Sequence, residues 1–382
     1  MIAKPSLKPT RPYFGSGPSV KHPGWNLQSL AGAAIQRSHR SVPSLGKIRE
    51  LLDMTRGLLR VPNDYRIAIT PASDTGAMEM AMWSLLGPRG VDAVVFDRFG
   101  ELWAHDLRQE LKLADLHIYE APCGVLPDLS AINPSHDLVF CWNGTTSGVC
   151  VPDADWISTD RTGLTICDAT SAAFAVDLPW DKLDVTTFSW QKLLGGEAAH
   201  GVIILSPRAI DRLENYTPPW PMPRIFRMIK DGRVNDEIFA GQTINTPSLL
   251  CIEDCLSALK WVQSIGGLNV MVNRCQTNYR IIADWVNKTP WIEFLVANAA
   301  HRSPASICLV PSGNGMDAGK SRELCQFIAA QLADAGVAFD IMGHREAPPN
   351  IRIWGGGMVE SDDIAKLLPW IEWGYSLYIN RS

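Results

Sequence analysis

Two stretches decide the fold: Cys167-Asp168-Ala169-Thr170-Ser171 and Ser189-Trp190-Gln191-Lys192-Leu193-Leu194-Gly195-Gly196. Each begins at the end of a short apolar run that is typical of a buried parallel strand. The first run ends in an acid, and the next run ends just before a lysine. In open α/β sheets, ligands bind beyond the carboxyl ends of the strands. We therefore expect Asp168 and Lys192 to lie together at one edge of a sheet.

The other apolar runs alternate with longer helical stretches, which is typical of a sheet covered by helices on both faces. The predicted strands are residues 65–70, 93–96, 138–142, 164–167, 185–189 and 202–205. Apolar residues recur at helical spacing over 249–262 and 269–286, and we place a lobe boundary between these helices. Strands at 307–310 and 351–354 and a helix over 319–335 then predict a smaller lobe. The expected class is α/β, with a mostly parallel sheet in a large domain and a smaller C-terminal α/β domain.

An acid and a lysine at neighbouring strand ends are what pyridoxal phosphate chemistry requires. The lysine forms the covalent link to the cofactor, and the carboxylate keeps the pyridine nitrogen protonated. Taken singly, Asp168 would also suit a helix N-cap and Lys192 a surface position. Both alternatives weaken because the two residues follow neighbouring predicted strands. We therefore predict pyridoxal phosphate as the cofactor, with Lys192 and Asp168 as the catalytic residues.

Three further segments supply residue types that this cofactor needs. Pro71-Ala72-Ser73-Asp74-Thr75-Gly76-Ala77 follows a strand and opens a helix, so its backbone N–H groups suit a phosphate, although alone it is more often a helix cap. Trp103 could stack on the pyridine ring, but on spacing alone a core position explains it better. Thr145 lies past a strand end, where its hydroxyl could reach the ring oxygen or belong to a plain turn. Each signal gains weight from the lysine and the aspartate downstream.

Composition and charge exclude several other classes of protein. The 382 residues carry 35 basic and 40 acidic side chains, a net charge of -5, and no Lys/Arg-rich run suits nucleic acid or an anionic membrane. No apolar run approaches the roughly 18 to 20 residues of a membrane-spanning helix, and residues 1–13 lack a secretory h-region. The cysteines are scattered without a CxxC pair or interleaved histidines at zinc spacing. We expect a cytoplasmic protein with reduced thiols and no metal site.

The chain resembles the phosphoserine aminotransferase family, a fold-type I pyridoxal phosphate family of the class V aminotransferase group. The resemblance runs from about Tyr13 to about Trp370. Its motifs are Phe14-Gly15-Ser16-Gly17-Pro18, Ser38-His39-Arg40, Gln191-Lys192, Asn245-Thr246-Pro247 and Gly343-His344-Arg345. The expected division is an N-terminal arm at 1–24 associated with the small domain, a large cofactor domain at 25–264 and a small domain at 265–382.

The resemblance assigns roles to the cofactor residues. It implies that Trp103 stacks on the ring, Thr145 contacts the ring oxygen and Gln191 lies beside the cofactor phosphate. It also implies a homodimer with shared active sites, in which the residues matching the two sequence pairs His39-Arg40 and Asn245-Thr246 reach the partner's site. The implied cofactor-binding residues are Asp74, Thr75, Trp103, Thr145, Asp168, Gln191, Lys192, Asn245 and Thr246.

The implied substrates are glutamate and a phosphorylated 2-oxo acid, 3-phosphohydroxypyruvate, which would give 2-oxoglutarate and phosphoserine. A phosphorylated amino acid brings a carboxylate and a dianionic phosphate, so its site should hold a planar arginine fork and a separate cationic cluster. The implied fork is Arg352, and Ser16 lies near the substrate carboxylate. Either His-Arg dipeptide alone is more often a solvated turn, but the family context reverses that preference. The implied substrate-binding residues are Ser16, His39, Arg40, His344, Arg345 and Arg352.

The chain also departs from the family pattern. Asp74-Thr75-Gly76 stands where many members carry an arginine that helps to bind the substrate phosphate, and Glu197 and His200 have no assigned role. Two alternatives stay open. Another class V aminotransferase, acting on serine, alanine and glyoxylate, would not need the two His-Arg dipeptides together. A non-catalytic binding module on the same fold would have no need of Lys192.

Overall fold

The computed structural model describes residues 2–313 and 315–381. Its largest sheet contains β1 (Arg66–Pro71), β2 (Val91–Val95), β3 (Leu116–Glu120), β4 (Asp137–Cys141), β5 (Thr165–Asp168), β6 (Val185–Ser189) and β7 (His200–Leu205). The strand order is β1-β7-β6-β5-β4-β2-β3. β7 runs antiparallel to both of its neighbours, and the other neighbouring strands pair in parallel. The predicted mostly parallel sheet is confirmed.

Helices cover this sheet, and two of them begin at the carboxyl ends of its parallel strands. β2, β4, β5, β6 and β7 are buried at every position, which requires cover on both faces. The helices of this region are α1 (Val42–Leu59), α2 (Ser73–Leu85), α3 (Arg98–His105), α4 (Pro207–Asn215), α5 (Asp236–Phe239) and α6 (Leu249–Ser264). α2 packs on β1, β6 and β7, and α3 packs on β2 and β4. Because α2 and α3 each follow a strand directly, both begin at the carboxyl ends of the parallel strands.

The chain after α6 forms a smaller mixed unit. A two-stranded ribbon of β8 (Ile229–Lys230) and β9 (Arg233–Val234) precedes it, and its own elements are α7 (Leu268–Val286), β10 (Ile292–Phe294), β11 (Ser306–Pro311), α8 (Ala318–Asp334), β12 (Ile351–Trp354) and α9 (Ser361–Ile379). The last three strands form an antiparallel sheet in the order β10-β11-β12. The α/β class is therefore confirmed, whereas the domain boundaries stay a prediction. In the part of the chain that the structure describes, no helix is both long and apolar enough to cross a membrane.

The edge strand β3 is one of the elements that the sequence patterns do not predict. Its five residues are half-buried or exposed, because it has a neighbour on one side only. An apolar run of the buried type is therefore missing from this part of the sequence. The predicted strands all occur, with ends that shift by up to two residues in most cases.

Candidate active site

Register within the large sheet brings the predicted catalytic residues together. Asp168 ends β5, where it is paired with Cys141 of β4 and with Thr187 of β6. Lys192 lies three residues after the end of β6 at Ser189, and both side chains line one pocket at this edge of the sheet. A pocket at this edge is lined by seven of the predicted cofactor residues: Asp74, Thr75, Trp103, Thr145, Asp168, Gln191 and Lys192. The fold therefore brings these seven predicted residues together, and their roles stay predictions.

The Asp168 carboxylate is held by donors on both of its oxygens. The indole Nε1 of Trp103 donates to Oδ2 at 3.2 Å, and the backbone N–H of Thr170 donates to Oδ1 at 2.9 Å. The Sγ of Cys141 lies 3.7 Å from Oδ2. Asp168 is only 7% exposed. These contacts fix the carboxylate in one orientation at the floor of the pocket.

Lys192 lies beneath the N-terminal segment of the chain. The backbone N–H of Ser19 donates to the carbonyl of Gln191 at 2.7 Å, and a Cβ placed on Gly17 would lie 3.5 Å from the Lys192 Nζ. The ammonium group also lies 5.8 Å from the centroid of the Trp354 ring. Burial, and next the positive charge of Arg352, lower the pKa of Lys192 to about 7, against the opposing effect of Asp168. Near neutral pH, a large share of this amine is therefore uncharged and nucleophilic.

The start of α2 forms a cup of backbone N–H groups. Ala72 and Ser73 both have positive φ angles, 62° and 54°, which turn the chain sharply from β1 into the helix. The first helical hydrogen bond runs from Gly76 N to Ala72 O, so the N–H groups of Ser73, Asp74 and Thr75 stay outside the helical ladder. Three N–H groups at a helix N-terminus favour an anion. This arrangement supports the prediction of a phosphate cup.

The Asp74 side chain does not contribute to this cup as an anion. Its carboxyl is buried beside the Asp168 carboxyl and near the hydroxyls of Thr170 and Thr187, and neither oxygen has a partner at full hydrogen-bond geometry. Burial, and next the charge of Asp168, raise the pKa of Asp74 well above its ordinary value. The raised pKa favours the neutral form of Asp74, which carries no negative charge that would oppose a phosphate at the helix start.

The buried polar atoms of the pocket fit pyridoxal phosphate. Asn143 Oδ1, Thr170 Oγ1 and Gln191 Oε1 are buried without a hydrogen-bond partner. Such atoms are costly unless a ligand or water satisfies them. An amine of low pKa, a buried carboxylate, a flat indole and a cup of N–H groups are the donor and acceptor set that this cofactor requires. The residues present therefore fit the group.

Arg352 connects this pocket with a second one under the N-terminal segment. Its Nη1 donates to the carbonyl of Thr145 at 3.4 Å, while its Nε is buried without a partner. The second pocket is lined by Ser16, Gly17 and Arg352, among other residues. The hydroxyl of Thr145 is hydrogen-bonded to the hydroxyl of Ser171. Arg352 thus has guanidinium donors available beside the Lys192 amine, as a carboxylate ligand needs.

The loop that carries His344 and Arg345 lies near Arg352. The positive charges of Arg352, Arg345 and Arg98 are among the causes that lower the pKa of His344, after burial. Glu346 forms an ion pair of 2.5 Å with the Nε of Arg98, and Arg345 is 86% exposed at its side chain. Arg98, at the start of α3, is a cation that the sequence analysis missed. Arg98 follows the end of β2 and the N-cap Asp97, and this position after a strand end could have indicated it as a candidate site residue.

Four predicted residues are not part of the lining of this pocket in the single chain. His39 is half-buried, and Arg40, Asn245 and Thr246 are exposed. Among the described residues, none of these four lines the pocket around Lys192. Their roles depend on a partner subunit and stay predictions.

Glu197 and His200 have local structural roles. Glu197 forms an ion pair of 2.9 Å with Lys21, which also contacts Asp254 at 2.7 Å. The Nε2 of His200 accepts a hydrogen bond from the N–H of Ser248, the N-cap of α6, at 3.0 Å. These contacts tie the N-terminal segment and α6 to the loop that follows Lys192. The interpretation as local packing is therefore sufficient.

The lowered pKa of Lys192 predicts unusual reactivity of its amine. In the cofactor-free protein, reductive labelling with a small aldehyde should modify Lys192 with a midpoint near pH 7, because only the neutral amine attacks the carbonyl. Mass spectrometry of the Lys192 peptide over a pH series measures the midpoint, with exposed Lys230 as the internal reference. Arg352→Gln should raise the midpoint by removing a positive charge, and Arg352→Lys should raise it less. A midpoint at the ordinary lysine value, about 10.4, would contradict the burial argument.

The raised pKa of Asp74 predicts a pH-dependent stability. A carboxyl whose pKa is higher in the folded state favours folding at low pH, and this contribution is lost as the pH rises through the folded pKa. Asp74→Asn should therefore gain stability relative to the cofactor-free wild type as pH rises, by up to about 1.4 kcal/mol per unit. Urea unfolding at pH 5, 6.5 and 8 measures this. Asp53→Asn, on an exposed position of α1, is the charge-matched control. A constant difference between Asp74→Asn and wild type would show that Asp74 is ionised.

Comparison with known proteins relates the whole chain to one family. The chain is 50% identical to the phosphoserine aminotransferase of Methanosarcina mazei over 374 residues, which are 98% of this chain and 99% of the relative. It is 49% identical to the phosphoserine aminotransferase of Methanosarcina barkeri over the same length. A scan against models of protein families gave no match.

Solved structures give the same fold. A phosphoserine aminotransferase from Cytophaga hutchinsonii superposes with a TM-score of 0.79 at 21% identity, over 94% of this chain and 98% of that one. A phosphoserine aminotransferase from Bacillus circulans gives 0.77 at 17% identity, over 96% and 98%. Identity near one half along almost the entire length establishes kinship more firmly than either superposition. This chain belongs to the phosphoserine aminotransferase family.

Proposed function

We propose that this chain transfers an amino group between glutamate and 3-phosphohydroxypyruvate, giving 2-oxoglutarate and phosphoserine. The observation that carries the proposal is the identity of 50% with a phosphoserine aminotransferase over 98% of the chain. The geometry around Lys192 supports the same reaction class, since a neutral amine, a fixed carboxylate and an anion cup lie within one pocket.

The cofactor that we propose is pyridoxal phosphate, which when bound supplies an electron sink for charge at the substrate α-carbon. Lys192 would hold it through the Nζ atom. The same amine, once free, would remove the α-proton of the substrate and deliver it to the cofactor carbon, as general base and then acid. A pKa of about 7 suits both tasks, because the amine both gains and loses a proton readily at neutral pH.

The other pocket residues would bind and orient the cofactor. Asp168 would keep the ring nitrogen protonated, since its carboxylate is buried and held in place. Trp103 would contribute an indole face, and Thr145 a hydroxyl for the ring oxygen. The cup at the start of α2 and the amide of Gln191 would bind the phosphate.

Different residues would bind the two anionic groups of the substrate, its α-carboxylate and its phosphate. Arg352 would hold the α-carboxylate with its planar fork, with Ser16 beside it. His344 and Arg345 would meet the substrate phosphate. Arg98 would supply the cation that Asp74-Thr75-Gly76 lacks, because it lies on the His344 side of the site.

We further propose that the active form is a homodimer with shared sites. Arg40 and Thr246 are exposed in the single chain, and neither is among the residues that line its own cofactor pocket. A partner subunit would carry His39 and Arg40 to the substrate phosphate, and Asn245 and Thr246 to the cofactor phosphate. This arrangement would complete a cationic cluster that one chain lacks.

Substrate choice tests the function. Protein reconstituted with pyridoxamine phosphate should react rapidly with 3-phosphohydroxypyruvate and at least 100-fold more slowly with pyruvate or glyoxylate, because only the first uses the cationic cluster. Stopped-flow absorbance of the cofactor measures each rate separately. Lys192→Ala, which removes the proton carrier, is the control and should react with none of them.

The alternatives give different results in that experiment. A preference for glyoxylate or pyruvate would favour a serine, alanine and glyoxylate type of aminotransferase. Failure to bind the cofactor would favour a non-catalytic module.

Mixed dimers test the shared site. Arg40→Ala should weaken the phosphorylated substrate by about 10- to 100-fold, the loss of one charged hydrogen bond, and glutamate much less. If Arg40 acts across the interface, a hybrid of Arg40→Ala and Lys192→Ala chains contains one intact site. Random mixing in a C2 dimer should then restore about a quarter of wild-type activity. A mixture no more active than the Arg40→Ala chains it contains would place Arg40 outside the partner's site.

A further inference from the structure

A cluster of two histidines and an aspartate lies at the opposite edge of the large sheet from Lys192. Asp115 precedes β3, His117 is in β3, and His136 precedes β4. The nitrogen and oxygen atoms that could bind a metal all lie within 4.8 Å of one another. His117 Nε2 is 3.0 Å from Asp115 Oδ1, and His136 Nε2 is 3.9 Å from Asp115 Oδ2.

Strand register and one glycine create this convergence. Val91 of β2 pairs with Leu116 of β3 and with Asp137 of β4, so the preceding residues, Gly90, Asp115 and His136, form one row across three strands. The middle strand contributes no side chain to that row. A Cβ on Gly90 would lie 2.4 Å from Asp115 Oδ2 and 2.7 Å from His136 Nε2. The flanking side chains therefore meet in the space that the glycine leaves.

A buried carboxylate orients one of the two imidazoles. The Nδ1 of His136 lies 2.8 Å from Oδ1 of Asp92, which is fully buried, and Asp92 Oδ2 accepts from Asn133 N at 2.7 Å. A proton on Nδ1 leaves the Nε2 lone pair free toward Asp115. This carboxylate–histidine pairing is the outer arrangement that proteins use behind metal-binding histidines.

We propose that Asp115, His117 and His136 form a binding site for a divalent transition cation of the zinc type. Tetrahedral zinc has bonds of about 2.0 to 2.2 Å, which separate its ligand atoms by about 3.3 Å, between the two spacings observed here. Two imidazoles and one carboxylate suit zinc better than the hard cations magnesium or calcium. A water molecule would take the fourth position, since Asp115 and His117 are exposed. The ion would link the edge strand β3 to the start of β4, across β2.

The proposal departs from the sequence expectation of no metal site. That expectation rested on cysteine and histidine spacing, whereas these ligands are joined by strand pairing. The site is also independent of the proposed function, because it lies at the amino ends of the strands and the cofactor pocket lies at their carboxyl ends.

Zinc titration of the chelator-treated holoenzyme tests the site. Calorimetry should show one zinc equivalent that His117→Ala, and separately Gly90→Ala, weaken at least tenfold. His105→Ala, which removes an exposed histidine of α3, should bind zinc as the wild type does. Zinc should raise the thermal midpoint of the wild type and of His105→Ala, but not of the other two variants, and cofactor absorbance should be the same in all four.

Three outcomes would overturn the proposal: equal zinc binding in wild type and both site variants, equal affinity for magnesium, or no zinc binding in wild type. Gly90→Ala keeps every ligand residue, and the nearest atoms to its added Cβ are side-chain atoms of Asp115 and His136 rather than backbone atoms. It therefore keeps the test decisive even if His117→Ala fails to fold.

Discussion

Parallel pairing of β4, β5 and β6 is the constraint on which the rest of the site depends. The register sets Asp168 opposite Cys141 on one side and Thr187 on the other. Side chains alternate between the faces of a sheet, so a slip of one residue would turn Asp168 to the opposite face. The lysine after β6 would then meet a different partner. The catalytic geometry is thus fixed by backbone hydrogen bonds in the core, where every position of β4, β5 and β6 is buried.

Burial then gives chemically similar groups different tasks. Lys192 and Arg352 are both basic side chains with restricted access to water, but burial lowers the pKa of the Lys192 amine to about 7, whereas a guanidinium keeps its charge. One is therefore suited to be a nucleophile and the other an anchor. Asp74 and Asp168 divide in the same way, because two adjacent buried carboxyls do not both ionise at neutral pH. Burial raises the pKa of Asp74, which lacks full hydrogen bonds, whereas the donors around Asp168 hold that carboxylate in place.

The sequence predicted what depends on strand ends and missed what depends on backbone direction, while the roles assigned across a proposed dimer interface stay predictions. Lys192, Asp168 and the α2 cup follow from apolar runs and the polar residues that close them. The inward direction of the Asp74 side chain does not, because it results from the positive φ angles at Ala72 and Ser73. The edge strand β3 was missed because its half-exposed residues lack a buried pattern. The role proposed for Arg40 comes from its residue type and from the family resemblance. In the single chain Arg40 is exposed, so its surroundings do not define that role.

At both the carboxyl ends and the amino ends of the strands in the large sheet, strand register brings side chains of neighbouring strands together. At the carboxyl ends, successive strands contribute polar side chains to a buried pocket, where each orphaned donor or acceptor is costly and a ligand relieves the cost. At the amino ends, Gly90 has no side chain, so the side chains of Asp115 and His136 approach each other in the space beside it. This space is open to water. Exposed ligands lose little solvation on binding a metal, so an ion there would act on the edge strand alone. Strand register therefore produces convergent side chains at both edges, but burial at only one of them makes those side chains suited to catalysis.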